Sequence, residues 1–263
     1  MVGPVYPYKG GIAHYMGMMC KTFAKKHEVI ALSYKMQYPK FMYKKEQKDY
    51  ESDTFKVDGT NYCINTANPF NWVHVAKKIN KLSPDLVVFQ WWHPYFAPCY
   101  QIICSLLKTK EILFVCHNVF PHERFPMDRL LTQATLKKGK YYIVHSKLDE
   151  VDLLSVKKDA RYKKAVIPTY NVFNKSQLEK DDARKILNVA QNEFVLLFFG
   201  LIREYKGLKY LLKALSIIKN KIPNVKLYIV GDFGGEKDHY LKIIKDLNIE
   251  NYILIEDAYV SDD

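Results

Sequence analysis

Arg203 and Lys206 stand beside Gly207, between an apolar run and a helical pattern. The run is Phe194-Val195-Leu196-Leu197-Phe198-Phe199, and it stops at Gly200, as a buried strand ends in a turn. Leu208, Leu211, Leu212, Leu215 and Ile218 then repeat at helical spacing. A strand end, a short loop and a helix start form the usual anion site of an open α/β sheet. Two cations fit a diphosphate better than a carboxylate, because Arg grips phosphate bidentately and Lys adds a mobile point charge.

Other groups sit at comparable places. Gly10-Gly11 opens a helical stretch, where glycines let backbone N–H groups approach a phosphate or a sugar; a plain turn explains the pair equally. Cys116-His117-Asn118 ends a strand-like run, so His117 is either a crevice residue or a hydrogen-bonded structural histidine. Cys116 and His117 do not form a nucleophile–base pair, since neighbours on a strand face opposite ways. Gln90-Trp91-Trp92-His93 also ends a run; the indoles line a sugar or lipid pocket or pack between layers. His122-Glu123 lacks the second histidine of a zinc protease, and Pro126 interrupts any helix there. Gly231-Asp232 follows Val225–Val230 and reads as a second loop at the edge that holds Arg203, or as a helix cap.

The elements that must position these residues alternate. Strand-like runs cover Val29–Tyr34, Leu86–Gln90, Ile112–Cys116, Tyr141–His145, Ala165–Ile167, Phe194–Phe199, Val225–Val230 and Tyr252–Ile255. Helical patterns lie near 11–26, 72–82, 96–107, 128–138, 146–157, 207–220 and 236–247. This order predicts α/β architecture with parallel, doubly wound sheets. Pro168-Thr169-Tyr170-Asn171 breaks the pattern and divides residues 1–170 from 171–263. The first strand, near Val2–Val5, is short, and the second unit has three strands where such domains carry about five or six. With Ser261-Asp262-Asp263 following the last strand, the chain reads as part of a longer protein.

The net charge of +12 is one-sided: residues 1–170 carry 26 Lys and Arg against 14 Asp and Glu, and residues 171–263 carry 14 of each. Such a field attracts an anionic membrane surface or a nucleic acid. The stretch Tyr34–Lys45 interleaves rings with lysines and suits either partner, or covers the sheet as a loop. No apolar run approaches the ~20 residues of a transmembrane helix, and no signal peptide is visible. Five cysteines without a C-x-x-C spacing point to reduced thiols in the cytoplasm.

Together these motifs resemble the family 4 glycosyltransferases. The resemblance rests on Gly10-Gly11, Pro84-Asp85-Leu86-Val87-Val88, Cys116-His117-Asn118, Val166-Ile167-Pro168, Val230-Gly231-Asp232 and, above all, Phe199-Gly200-Leu201-Ile202-Arg203-Glu204-Tyr205-Lys206-Gly207. It implies the GT-B fold, two Rossmann-like domains facing a cleft. It implies retaining transfer from a nucleotide-sugar to a hydroxyl acceptor, lipid-linked or part of a polysaccharide, with no metal or other cofactor and no nucleic-acid partner. The first domain would take the acceptor, beside the inner membrane face, with Trp91, Trp92, His93 and His122 on that side. Arg203 and Lys206 would hold the donor diphosphate, aided by Gly10, Gly11, Gly231 and Asp232, and His117 would lie near the transferred sugar. Catalysis would rest on His117, Arg203 and Lys206. Family members also carry a paired-glutamate motif, for which this chain offers no residues, so little turnover is expected of residues 1–263 alone. Two alternatives stay open: a nucleotide-sugar epimerase of the same fold, and a non-catalytic anion-binding protein derived from a transferase.

Overall fold

The computed structural model describes residues 1–43, 46–51, 53–173 and 178–260. Lys44 and Lys45 of the aromatic–basic stretch, and the terminal residues 261–263, lie outside them. The chain divides into two compact units, Met1–Tyr170 and Asn171–Asp263.

In unit 1 the order is α1 (Gly11–Phe23), β1 (Leu32–Met36), β2 (Asn61–Asn65), α2 (Pro69–Leu82), β3 (Val87–Trp91), α3 (Ala97–Leu106), β4 (Ile112–Cys116), α4 (Asp128–Leu136), β5 (Tyr141–Val144), α5 (Lys147–Val156) and β6 (Arg161–Lys164). β1 pairs with β2, and β3 through β6 pair in sequence order, all parallel. The expected first strand is reduced to a bridge. Val2 pairs with Leu32 of β1 and Phe89 of β3, joining the two ladders into one sheet. β3 is buried at every position, as expected of a central strand with helices on both faces. Its Phe89 packs with Phe114 and Tyr100 in a core that also takes in Trp91, Phe96 and Tyr142.

Three expectations shift. The strand expected at Val29–Tyr34 begins at Leu32. A strand at Asn61–Asn65 was not foreseen, because only Ile64 of its five residues is fully buried. The strand expected at Ala165–Ile167 lies earlier, at Arg161–Lys164, while Val166 is 87% exposed. β6 is an edge strand, and its Arg161, Lys163 and Lys164 give that edge a charged rim that discourages further pairing.

Unit 2 contains α6 (Lys180–Ile186), β7 (Phe194–Phe199), α7 (Leu208–Ile218), β8 (Val225–Val230), α8 (Lys237–Asp246) and β9 (Ile253–Glu256). Its three strands are parallel in the order β7-β8-β9. Leu208, Leu212 and Leu215 of α7 meet Leu227 and Ile229 of β8 in a separate core.

Candidate functional site

In unit 2, β7 ends at Gly200 with φ +104, and a 3-10 turn at Glu204–Lys206 leads through Gly207 into α7. Gly207 has φ +80, the left-handed region that glycine enters without a Cβ penalty. The turn hands Arg203 and Lys206 to one place. Lys206 Nζ hangs over Gly200, 3.4 Å from where a Cβ would stand there. The Arg203 guanidinium lies against the backbone of Gly234, and its Nη1 donates to the Ile202 carbonyl at 3.2 Å.

Neither cation has an ion-pair partner among the described residues. The nearest acid in sequence, Glu204, is held by Lys209 at 2.5 Å. That bond holds the Glu204 carboxyl below its usual range and keeps it from neutralising the pair. The β8 loop braces the site: Gly231 brings its backbone against Gly200, and Ile202 N–H donates to the Asp232 carbonyl at 2.8 Å. The Asp232 carboxylate accepts from Gly234 N–H at 2.6 Å and shapes this turn. Gly231 and Asp232 thus adjoin the cations, but their visible work is to fix the loop.

In unit 1 the carboxyl ends of the strands bring together residues of separate origin. His117 follows β4. Its Nε2 lies 2.8 Å from Gln90 Oε1, an amide oxygen that only accepts, so the proton sits on Nε2 and Nδ1 keeps its lone pair. Gln90 is fully buried on β3. Burial, with His145 beside it, pushes the His117 pKa down to about 3, so the ring stays neutral. His145 follows β5 and donates from Nδ1 to the Ala165 carbonyl at 2.7 Å. Its Nε2 is buried with no partner. Tyr15 of α1 packs edge-on against both rings, with centroids 5.0 Å from His117 and 5.2 Å from His145. The neutral His117 ring keeps a lone pair on Nδ1 that can accept a hydrogen bond from a hydroxyl group.

Sequence reasoning singled out His117 and missed Gln90, Tyr15 and His145. His145 ends a strand-like run just as His117 does, and that shared position was the available signal. Gly10, at φ +99, caps the start of α1, and a Cβ on Gly10 or Gly11 would meet open space.

The acceptor-side group divides. Trp91 is wholly buried and its indole N–H bonds the Val119 carbonyl at 3.1 Å, so it belongs to the core and lines no pocket. Trp92 is half-buried, packs at a tilt against Phe96 with centroids 4.2 Å apart, and donates to the Tyr38 hydroxyl at 3.1 Å. His93 Nδ1 accepts from Tyr95 N–H at 3.0 Å, capping a short 3-10 turn, and burial lowers its pKa. His122 is exposed on the loop between β4 and α4.

Residues 179–256, which carry the Arg203–Lys206 turn, match the family described as Glycosyl transferases group 1. An uncharacterized glycosyltransferase of Methanocaldococcus jannaschii, MJ1059, is 27% identical over 198 residues, covering 69% of this chain and 47% of that protein. The lipopolysaccharide 1,2-N-acetylglucosaminetransferase of Salmonella typhimurium is 38% identical over 71 residues, 26% of this chain and 19% of that protein. Among solved structures, Anabaena Alr3699/HepE in complex with UDP-glucose has the same fold, with TM-score 0.72 at 16% identity over 99% of this chain and 69% of that one. The chain thus has the GT-B fold, and its second unit matches a glycosyltransferase family. It spans about half the length of the first of these curated relatives.

Proposed function

We propose that the chain serves the transfer of a sugar from a nucleoside-diphosphate donor to a hydroxyl of a saccharide acceptor, with retention of configuration. The observation that carries this reading is the unpaired Arg203–Lys206 couple at the end of β7, free of ion pairs among the described residues and braced by the Gly231–Gly234 loop. In transfer, the bond from the sugar's anomeric carbon to the diphosphate breaks and its electron pair leaves with the diphosphate. Two cations waiting at that oxygen stabilise the charge as it develops, which lowers the barrier more than it favours the ground state. The neutral His117, with His145 beside it, suits the hydroxyl side of the reaction. His117 accepts a sugar hydroxyl at Nδ1 while Gln90 fixes its tautomer and ring plane. The acceptor is read as lipid-linked, at an anionic membrane face, because unit 1 carries the whole excess of positive charge. No described helix is long and apolar enough to cross a membrane.

The test is calorimetric titration of UDP into the chain and into its Arg203→Ala and Lys206→Ala variants. Each loss of a charge-assisted hydrogen bond is expected to cost about 1.5–3 kcal/mol of binding. Unchanged affinity in both variants would remove the diphosphate from this site. Product analysis with and without a saccharide acceptor separates transfer from epimerisation, which needs no acceptor.

A further inference from the structure

The helix-to-strand connections of unit 1 all emerge at the amino-terminal edge of the sheet, opposite His117. Register places Tyr141 beside both Leu113 and Arg161, so the entries to β4, β5 and β6 lie side by side. There Lys110, Lys138, Lys140, Lys157 and Arg161 line a cavity of about 360 Å³ with Asp159 as its one carboxylate. Two of these cations are partly answered: Lys140 pairs with Glu111, and Lys157 lies 3.4 Å from an Asp159 that is 85% exposed. Lys138 and Arg161 form no ion pair among the described residues. Five cations around one concavity are held together against their mutual repulsion, which an entering polyvalent oxyanion would relieve.

A second observation stands next to the first. α2 and α3 end in Leu82 and Leu106, 41% and 46% exposed, and Leu86, 44% exposed, leads into β3. Asn80 fastens these tips to the basic loop: its Nδ2 donates to the Leu106 carbonyl and its Oδ1 accepts from Lys108 N–H, both at 2.8 Å. Leu106 and Lys110 therefore belong to one connection, with its apolar start at the leucines and its basic end in the cavity.

We propose that this edge of unit 1 docks on an anionic bilayer, the cavity seating a lipid phosphate while Leu82, Leu86 and Leu106 enter the interface. Leucine tips beside a cation cluster combine the two forces of interfacial binding, apolar burial and attraction to anionic headgroups. A soluble phosphate would use the cavity and leave the leucines in water. A nucleic acid would use the cations and gain little from them. The edge deepens the transferase reading, and it has a geometric consequence that rests on that reading. Five-residue strands span about 17 Å, so docking here turns the histidine end away from the bilayer. The acceptor hydroxyl then belongs to the outer end of a lipid-linked oligosaccharide.

The experiment is co-sedimentation of the full chain with phosphatidylcholine vesicles, with and without phosphatidic acid. Lys138→Glu/Arg161→Glu and Leu86→Ser/Leu106→Ser variants are run beside a unit 2 control, Lys213→Glu/Lys242→Glu, which removes as much positive charge from exposed helix faces. Binding is expected only with phosphatidic acid. It should fall roughly tenfold or more in the cavity variant, fall measurably in the leucine variant, and persist in the control. Circular dichroism and urea unfolding of every variant report folding, and UDP titration reports the Arg203–Lys206 site, so failure of the docking proposal and failure of the donor reading are told apart. Equal loss in cavity variant and control would reduce the effect to net charge and overturn the proposal. So would calorimetric binding of pyrophosphate to the cavity without vesicle binding, or tighter binding to single-stranded RNA than to vesicles.

Discussion

Gly234 holds Arg203 in place by having no side chain. A Cβ at position 234 would lie 2.0 Å from Arg203 Nη1 and 3.0 Å from its Cζ. The guanidinium therefore rests on bare backbone, one residue beyond the β8 loop's Phe233, which is itself buried. Gly234 has φ +61, a conformation an L residue adopts at a cost of about 1 kcal/mol.

Gly234→Ala should separate folding from binding. The crowded atoms are the far end of a flexible side chain, so the fold survives and Arg203 swings away. UDP affinity is expected to fall about tenfold, near the lower worth of a charge-assisted hydrogen bond, with the urea midpoint little changed. Undiminished UDP affinity in Gly234→Ala would show that this guanidinium position is not the one that binds.

His117 makes stability pH-dependent. Its pKa is about 3 in the folded chain and about 6.5 when unfolded. The unfolded state therefore binds the extra proton between those values, and folding loses ground as the medium is acidified. The contribution is fully present above about pH 6.5 and is lost as pH falls toward 3, at up to about 1.4 kcal/mol per pH unit. His93, also lowered by burial, acts in the same direction. Urea unfolding at pH 7 and pH 5 should show a smaller drop in the His117→Gln variant than in the parent. An equal drop would place the acid sensitivity elsewhere.

Trp91 and Trp92 are neighbours with different expected costs. Trp91→Ala empties a fully buried volume and orphans the Val119 carbonyl, at a cost of about 3–5 kcal/mol. Trp92→Ala removes a half-buried ring and its bond to the Tyr38 hydroxyl, and should cost clearly less. Chemical denaturation of both variants ranks them, and a Trp91→Ala chain as stable as the parent would contradict its place in the core.

The sequence was most legible where chemistry and structure share a short stretch. Six apolar residues, Gly200, two cations and an amphipathic repeat follow one another, so both the strand and its anion loop could be read in place. β2 and β6 were hard to read because they bury little: the inward face of β2 rests on Ile64, and β6 is a charged edge. The histidine site was half-legible. His117, His145, Gln90 and Tyr15 sit on four elements, and only the parallel register of β3, β4 and β5 brings them to one edge. Of the two roles left open for the tryptophans, Trp91 takes the packing one, not the acceptor-side place that the resemblance implied, because strand-end position says nothing about which face a ring takes. The basic cavity was invisible for a related reason, since its cations come from separate connections.

Gly231 offers the sharpest test of unit 2. Its φ of +140 excludes ordinary side chains, and a Cβ there would stand 2.0 Å from the Gly200 carbonyl oxygen and 2.7 Å from its carbon. These are backbone atoms of the adjoining strand end, fixed by Gly200 N–H to the Val230 carbonyl at 2.9 Å and Gly231 N–H to the Glu256 carbonyl at 2.9 Å. Nothing flexible can give way, in contrast to Gly234. Gly231→Ala must therefore part β7 from β8 at their carboxyl ends, where Arg203 and the β8 loop meet. Hydrogen exchange should speed up across 194–200 and 225–231, and UDP binding should be lost with it. Exchange across 87–116 should stay as it is, because unit 1 has its own core. Protection in unit 2 equal to the parent's would mean that the two strand ends do not meet as closely as this pair of glycines requires.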